Sequence, residues 1–335
     1  MKVTGVDLVF RPLPPRKTPG NTATAKHTQR GQSMAGFSRR GALVGLTALG
    51  TAAFMGRAAQ ARAARGPHTP PLDIVTGEDG FSAPSTAGAG AVSFRLRTTS
   101  RLTGAVGLAR LRRGVSKAEF GTRLRRVFAT EGAENVEAAK ALMAAAELYG
   151  GGFTHIGTET GFTVELEPGR YLILEFLDFE GGRGRNPAPG QEYVRTLTVH
   201  QRPEQTPSGP PSAVVTAREV PGVGPRFELR GRLKPGHPLH YVNRMRDQVD
   251  ELVLYPITDD AVTEDDIQAF FDRTLPVPPF DITRWLGTPP LSPGRGALLT
   301  PPLSPGRYAA VTWVTSIHDA RPLAAHGQHR ILTVA

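Results

Sequence analysis

LEPGRYLILEFL, residues 166–177, and LSPGRYAAVTWV, residues 303–314, lie 137 positions apart and read alike. In each, Pro then Gly suits the two central positions of a type II turn, because proline fixes φ near −65° and glycine accepts positive φ. The residues after the turn, 170–177 and 307–314, are aromatic and β-branched enough to form a buried strand. Each half then closes on a similar strand, RTLTVH at 195–200 and RILTVA at 330–335. Leu197 therefore stands to Tyr171 as Leu332 stands to Tyr308, with one small gap between the copies.

The likeness extends upstream. A strand at Leu108–Leu111 precedes Ser116, with Glu119 three residues on; a strand at Leu254–Ile257 precedes Thr263, with Asp266 three residues on. Both spacings predict a capping box, in which the hydroxyl takes an orphan amide and the acid reaches back to the cap. Val115 with Phe120, and Val262 with Ile267, occupy the staple positions on either side of the cap. The first half adds a helix predicted over Glu134–Tyr149, ended by Gly150-Gly151-Gly152. A shorter repeat, TPPLSPGR at 288–295 and 300–307, predicts two successive turns around one edge strand, with prolines blunting the edge. Short strands divided by turns, with one inserted helix per half, predict an all-β protein of two tandem Greek-key β-sandwiches. The expected divisions are a leader at 1–64, a first sandwich at 65–201, a Pro-rich linker at 202–212 and a second sandwich at 213–335.

The net charge of +10 is misleading as a sign of function. Ten of the 40 Lys and Arg residues, but only one of the 30 Asp and Glu residues, lie in the leader. The remainder is nearly neutral, which argues against a nucleic-acid partner, since counterion release needs a clustered basic face. The leader itself reads as an export signal of the twin-arginine type: Ser38-Arg39-Arg40 stands before an apolar run from Gly41 to Phe54. Small-residue cleavage sites follow at Ala59–Ala61 and Ala61–Ala63. The apolar run is short of the roughly 20 residues that span a bilayer, so no stable membrane insertion is expected after cleavage. Met1 or Met34 could be the start, because such signals keep the arginine pair close to it. The chain has no cysteine, which excludes thiolate metal sites, Cys nucleophiles and a disulfide framework. Each sandwich is then expected to rest on its own apolar core.

The order FRLRTTS, LARL, VSKAEF, FTVELEPGRYLILEF and LTV resembles the exported plastocyanin-like proteins of the cupredoxin fold, over most of 72–199 and more weakly over 212–335. The resemblance implies cupredoxin-like sandwiches. Copper members of that family need a His before the LARL-type strand, a Cys on the strand after the Pro-Gly turn, a second His and a weak axial ligand. The resemblance places Gly104 and Asp250 near the first-His positions and Glu175 and Thr312 at the Cys positions. It therefore implies lost copper ligands in both halves.

The remaining histidines gather late: His318, His326 and His329 in HDARPLAAHGQH, and His237 and His240 in HPLH. If both loops lie at one end of the second sandwich, two or three imidazoles could hold copper or zinc; in solvent they would be bland. His326 and His329 could also fall on opposite faces of the final strand. DDAVTEDD at 259–266 lacks the alternating oxygen ligands of a calcium loop and reads as acids complementing a helix start. Asp178 and Glu180 read as a solvated rim, and no nucleophile elbow, zinc helix or phosphate loop appears. The expectation is a secreted or cell-surface protein, not an enzyme and without a cofactor, that binds an unknown cell-surface protein or polymer or serves a structural role. The alternative is an envelope copper- or zinc-binding protein using the second-half histidines.

Overall fold

Tyrosine shows best how the two halves are built. Tyr171 donates its hydroxyl hydrogen to the Glu167 carbonyl (2.9 Å) and accepts from the Glu167 amide (3.1 Å). Tyr308 makes the same reciprocal pair with Ser304, at 3.1 Å in both directions. The glycines between them adopt matching conformations, with φ of 151° at Gly169 and 147° at Gly306, further extended than a type II turn requires. The repeated motif is thus a corner in which a ring closes over its own turn.

The computed structural model describes residues 70–335 apart from 79, 102, 182–186 and 204–208. The leader, including Arg39, Arg40 and Met34, and most of the expected linker's Pro-rich centre lie outside the described residues. The first half runs β1 (Leu72–Thr76), β2 (Phe81–Ser82), β3 (Thr86–Thr98), β4 (Gly104–Leu111), α1 (Lys117–Ala129), α2 (Gly132–Ala145), β5 (Ala146–Thr154), β6 (Glu159–Leu166), β7 (Gly169–Glu175), α3 (Leu177–Glu180) and β8 (Val194–Pro203). The second runs β9 (Ala213–Val220), β10 (Gly224–Gly231), β11 (Leu239–Asn243), β12 (Asp250–Ile257), α4 (Glu264–Phe271), β13 (Leu286–Leu291), β14 (Gly296–Thr300), β15 (Gly306–Val311), a 3-10 turn at Leu323–His326 and β16 (His329–Val334). The all-β fold expected from the sequence is the fold observed.

The registers of the two halves match. Leu108 faces Ile173 in β4–β7, and Leu254 faces Ala310 in β12–β15. Tyr171 faces Leu197 and Tyr308 faces Leu332 in the closing pairs. In both halves a parallel pair, β1–β3 or β9–β11, flanks an antiparallel one, β3–β6 or β11–β14.

Several expectations are corrected. The helix expected to run to Tyr149 stops at Ala145, and Gly150, Gly151 and Gly152 lie inside β5. A Cβ on Gly151 would sit 1.9 Å from the Val106 carbonyl oxygen, so this glycine serves close strand approach rather than helix termination. The first half carries the helical pair α1 and α2, the first begun at the Ser116 cap and the second the added helix. Thr263 and Asp266 form a full capping box, whereas Ser116 accepts from the Glu119 amide while the Glu119 carboxylate turns to Arg123. The strand between the TPPLSPGR copies is not an edge: β14 pairs with β11 on one side and β6 on the other.

β6 and β14 are equivalent strands, so the halves join through matching parts. One sheet therefore runs β10-β9-β11-β14-β6-β3 through both halves. On the opposite layer β5 meets its equivalent β13 at one bridge, Leu291 to Tyr149. Pro289 and Pro290 cannot donate to a ladder there, and side-chain hydroxyls act instead: Thr288 accepts from the Gly151 amide and Ser292 from the Leu148 amide, each at 2.9 Å. Residues of both halves share one interior cluster, from Ile74 and Phe94 to Tyr241 and Leu332. A second cluster beneath the helices also spans the halves, joining Phe120 and Phe176 to Val253 and Phe271. The expectation of a separate core for each sandwich does not hold, because the sheet is shared.

Candidate functional site

Strand alternation decides what lies at the positions where the resemblance puts copper ligands. Asp250 precedes Leu252 and Leu254 by two and four, so its side chain enters the interior with theirs. It is fully buried. Its Oδ2 accepts from Tyr241 Oη (2.8 Å) and from Gln328 Nε2. Burial lifts the Asp250 pKa to about 7 against these bonds, and Tyr241 is pushed well above its ordinary value by burial and by the facing carboxyl.

In the first half Glu175 fills the equivalent interior. Thr76 Oγ1 donates to Oε2 (2.6 Å) and the Ala105 amide to Oε1 (2.8 Å). Burial raises Glu175 to about 7, the bonds oppose the shift and neighbouring Asp178 adds to it. Neither half offers a thiolate or an imidazole at these positions, and each buried carboxyl is held by its own protein partners. The residues present do not fit a blue-copper centre.

Asp178, expected on a solvated rim, is instead buried, and its Oδ2 accepts from the Tyr193 amide at 2.7 Å. A carboxylate that ends a strand can serve as a fixed acceptor for the returning chain, which residue type alone does not reveal.

Two cavities stand out among the described residues. The first, about 400 Å³, lies between the halves, beside His155, Ile156 and the 302–308 turn. His155 Nε2 donates to the Trp285 carbonyl (2.8 Å), so Nδ1 is the acceptor for Thr103 Oγ1 (3.1 Å). Burial holds its pKa below the usual value, and it acts as a neutral tie between halves.

The second, about 410 Å³, opens at the loop end of the second half. Its walls are the 244–249 loop and the long 312–328 connection. Asn243, fully buried, organises the first of these: Nδ2 donates to the Gln248 and Leu291 carbonyls at 3.1 and 2.8 Å, and Oδ1 accepts from the Met245 amide at 2.9 Å. Gln248 links the loops, its Oε1 accepting from the Ile317 amide at 3.2 Å. Because only oxygen can accept that bond, the amide orientation is fixed, and Nε2 is left buried without a partner. On the rim His318 Nε2 lies 3.4 Å from Asp247, and His326 Nε2 lies 2.9 Å from Asp319.

The candidate histidines divide. His318 and His326 share this cavity. His326 belongs to the 3-10 turn, so it does not lie on the final strand with His329. His329 Nε2 pairs with Gln268 Oε1 at 2.9 Å. His240 packs over Gly296, with burial lowering its pKa, and His237 is exposed, with Nδ1 3.0 Å from the Pro235 carbonyl. Among the described residues no group of three or more His, Cys, Asp or Glu side chains is arranged to hold a metal ion.

No family model matches the chain. No curated protein matches it either. Among solved structures it is similar to a dithionite-reduced auracyanin from Roseiflexus castenholzii, at 17% identity over 36% of this chain and 94% of that one, with a TM-score of 0.24. A multicopper oxidase is 14% identical over 78% of this chain and 88% of that one, with a TM-score of 0.23. A copper-containing nitrite reductase from Thermus scotoductus SA-01 is 15% identical over 79% and 61%, with a TM-score of 0.21. The likenesses concern the fold alone and bear on no activity.

Sequence reading missed Asn243, Gln248 and Gln328. Only Asp250 carried a signal, an acid on the apolar parity of a strand.

Proposed function

We propose that this is a secreted or cell-surface, non-enzymatic binding or structural protein whose two cupredoxin-like halves form no blue-copper site. One observation carries the reading: the interior positions that a copper centre would need hold Glu175 and Asp250, each engaged by hydrogen bonds of the protein itself. A buried carboxyl engaged by a phenol and a side-chain amide occupies the place a metal would take. The twin-arginine leader supports export, and among the described residues no helix is long and apolar enough to cross a membrane. Binding falls to the loops, where a rigid sandwich leaves side chains free to vary.

The test is metal analysis and visible spectroscopy of the full chain after Cu(II) and Zn(II) loading and desalting. The expected result is substoichiometric metal and no thiolate–copper absorption. One metal per chain, lost when His318 and His326 are both changed to Ala, would replace this reading with metal handling at the second-half loops. One copper per chain retained in that variant would sink the reading altogether.

A further inference from the structure

We infer that the 410 Å³ cavity at the loop end of the second half binds a neutral polyhydroxylated molecule, either a free saccharide or the end of a glycan. The inference rests on reading the protein as a binding module and names the ligand for it. The volume falls in the range of small-molecule sites, about 300–1,000 Å³.

The lining selects the chemistry. Gln248 is 1% exposed, and its unpartnered Nε2 asks for an acceptor that the protein does not supply. A metal ion would face that N–H donor and would have to displace His318 and His326 from Asp247 and Asp319. An anion would meet three carboxylates, Asp247, Asp319 and Glu219, with Arg246 the one permanent cation of the lining and His318 and His326 already set against two of the acids. A hydroxyl group both donates and accepts, so one ligand can take the Gln248 donor and give to the rim acids. Met245, Leu323 and Pro225, apolar residues from three elements, also line the cavity, suited to the C–H face of a ring. The floor is braced, because Asn243 fixes the 244–249 loop and Gln248 ties that loop to Ile317 of the 312–328 connection.

The experiment is saturation-transfer NMR with isothermal titration of the full chain. Probes are the methyl glycosides of glucose, galactose, mannose and N-acetylglucosamine, myo-inositol, and soluble dextran. At least one probe is expected to bind at millimolar concentration. A monosaccharide response points to a free sugar and a response to dextran alone to a glycan end, and either supports the site. Gln248→Met should weaken binding about tenfold, the worth of one buried hydrogen bond. Because that change also removes the acceptor for Ile317, the rim variant Asp247→Ala, which leaves the floor intact, should weaken the same probe with an unaltered melting temperature. Failure of every probe, binding indifferent to both variants, or saturable uptake of Ca²⁺ or phosphate by this cavity would overturn the inference. Such failure with the copper-free result above leaves the binding-module reading standing, whereas stoichiometric copper sinks that reading.

Discussion

Glu175 and Asp250 carry a measurable signature at the scale of single residues. Burial raises their pKa values to about 7, from ordinary values of 4.5 and 3.8. An unfolded chain releases these protons near pH 4 while the folded chain keeps them to about 7, so the fold binds more protons across that window. Their contribution is fully present below pH 4 and is lost as pH rises through 7. Urea unfolding at pH 5 and pH 8 should show stability falling with pH, by on the order of 2 kcal/mol per carboxyl. Glu175→Gln and Asp250→Asn should each flatten that fall; an unchanged slope in both variants would contradict the burial argument. The repeated motif made the turns and strands around Tyr171 and Tyr308 legible, but not the hydroxyl of each tyrosine closing over its own turn. Asp250 was legible only through parity, and Gln248 not at all: a lone glutamine in a loop has no pattern, and its importance comes from a tie to Ile317 across 69 residues.

Between strands, glycine does what no larger residue could. Gly151 opposes Gly107 in β4–β5, and Gly287 opposes Val253 in β12–β13, so the two are equivalent. A Cβ on Gly151 would stand 1.9 Å from the Val106 carbonyl oxygen, and one on Gly287 2.0 Å from that of Leu252. Gly287 also has a φ of 121°, which a side chain would strain. The copies thus conserve a contact as well as a motif. Gly151→Ala and Gly287→Ala should each cost about 2 kcal/mol or more, because the obstructing atom is backbone and the strand must shift. Gly236→Ala, with open space around it but also at positive φ, is the control for strain alone and should cost less. Thermal melts of the three variants decide the matter. Strands and caps could be read from local pattern, whereas the triple glycine was misread as a helix stop because close approach is set by a partner remote in sequence.

For the molecule as a whole, the shared sheet and shared interior bind the halves into one cooperative body. Calorimetry of the full chain should show a single unfolding transition with matching calorimetric and van't Hoff enthalpies. Two resolved transitions would mean that the junction contributes little. The sequence suggested two similar halves but not their union, since the alternating pattern of β6 and β14 describes faces and is silent about which edge each strand will meet.

That union has a geometric corollary. β6 and β14 are counterparts, and they run antiparallel from Val164 opposite Ala297 to Gly161 opposite Thr300. An edge that can mate with its own counterpart in this way is self-complementary, the defining property of a twofold dimer interface. Two separate chains carrying such an edge would meet only as their concentration allowed. Here the chain connects the two edges, so their encounter does not depend on dilution.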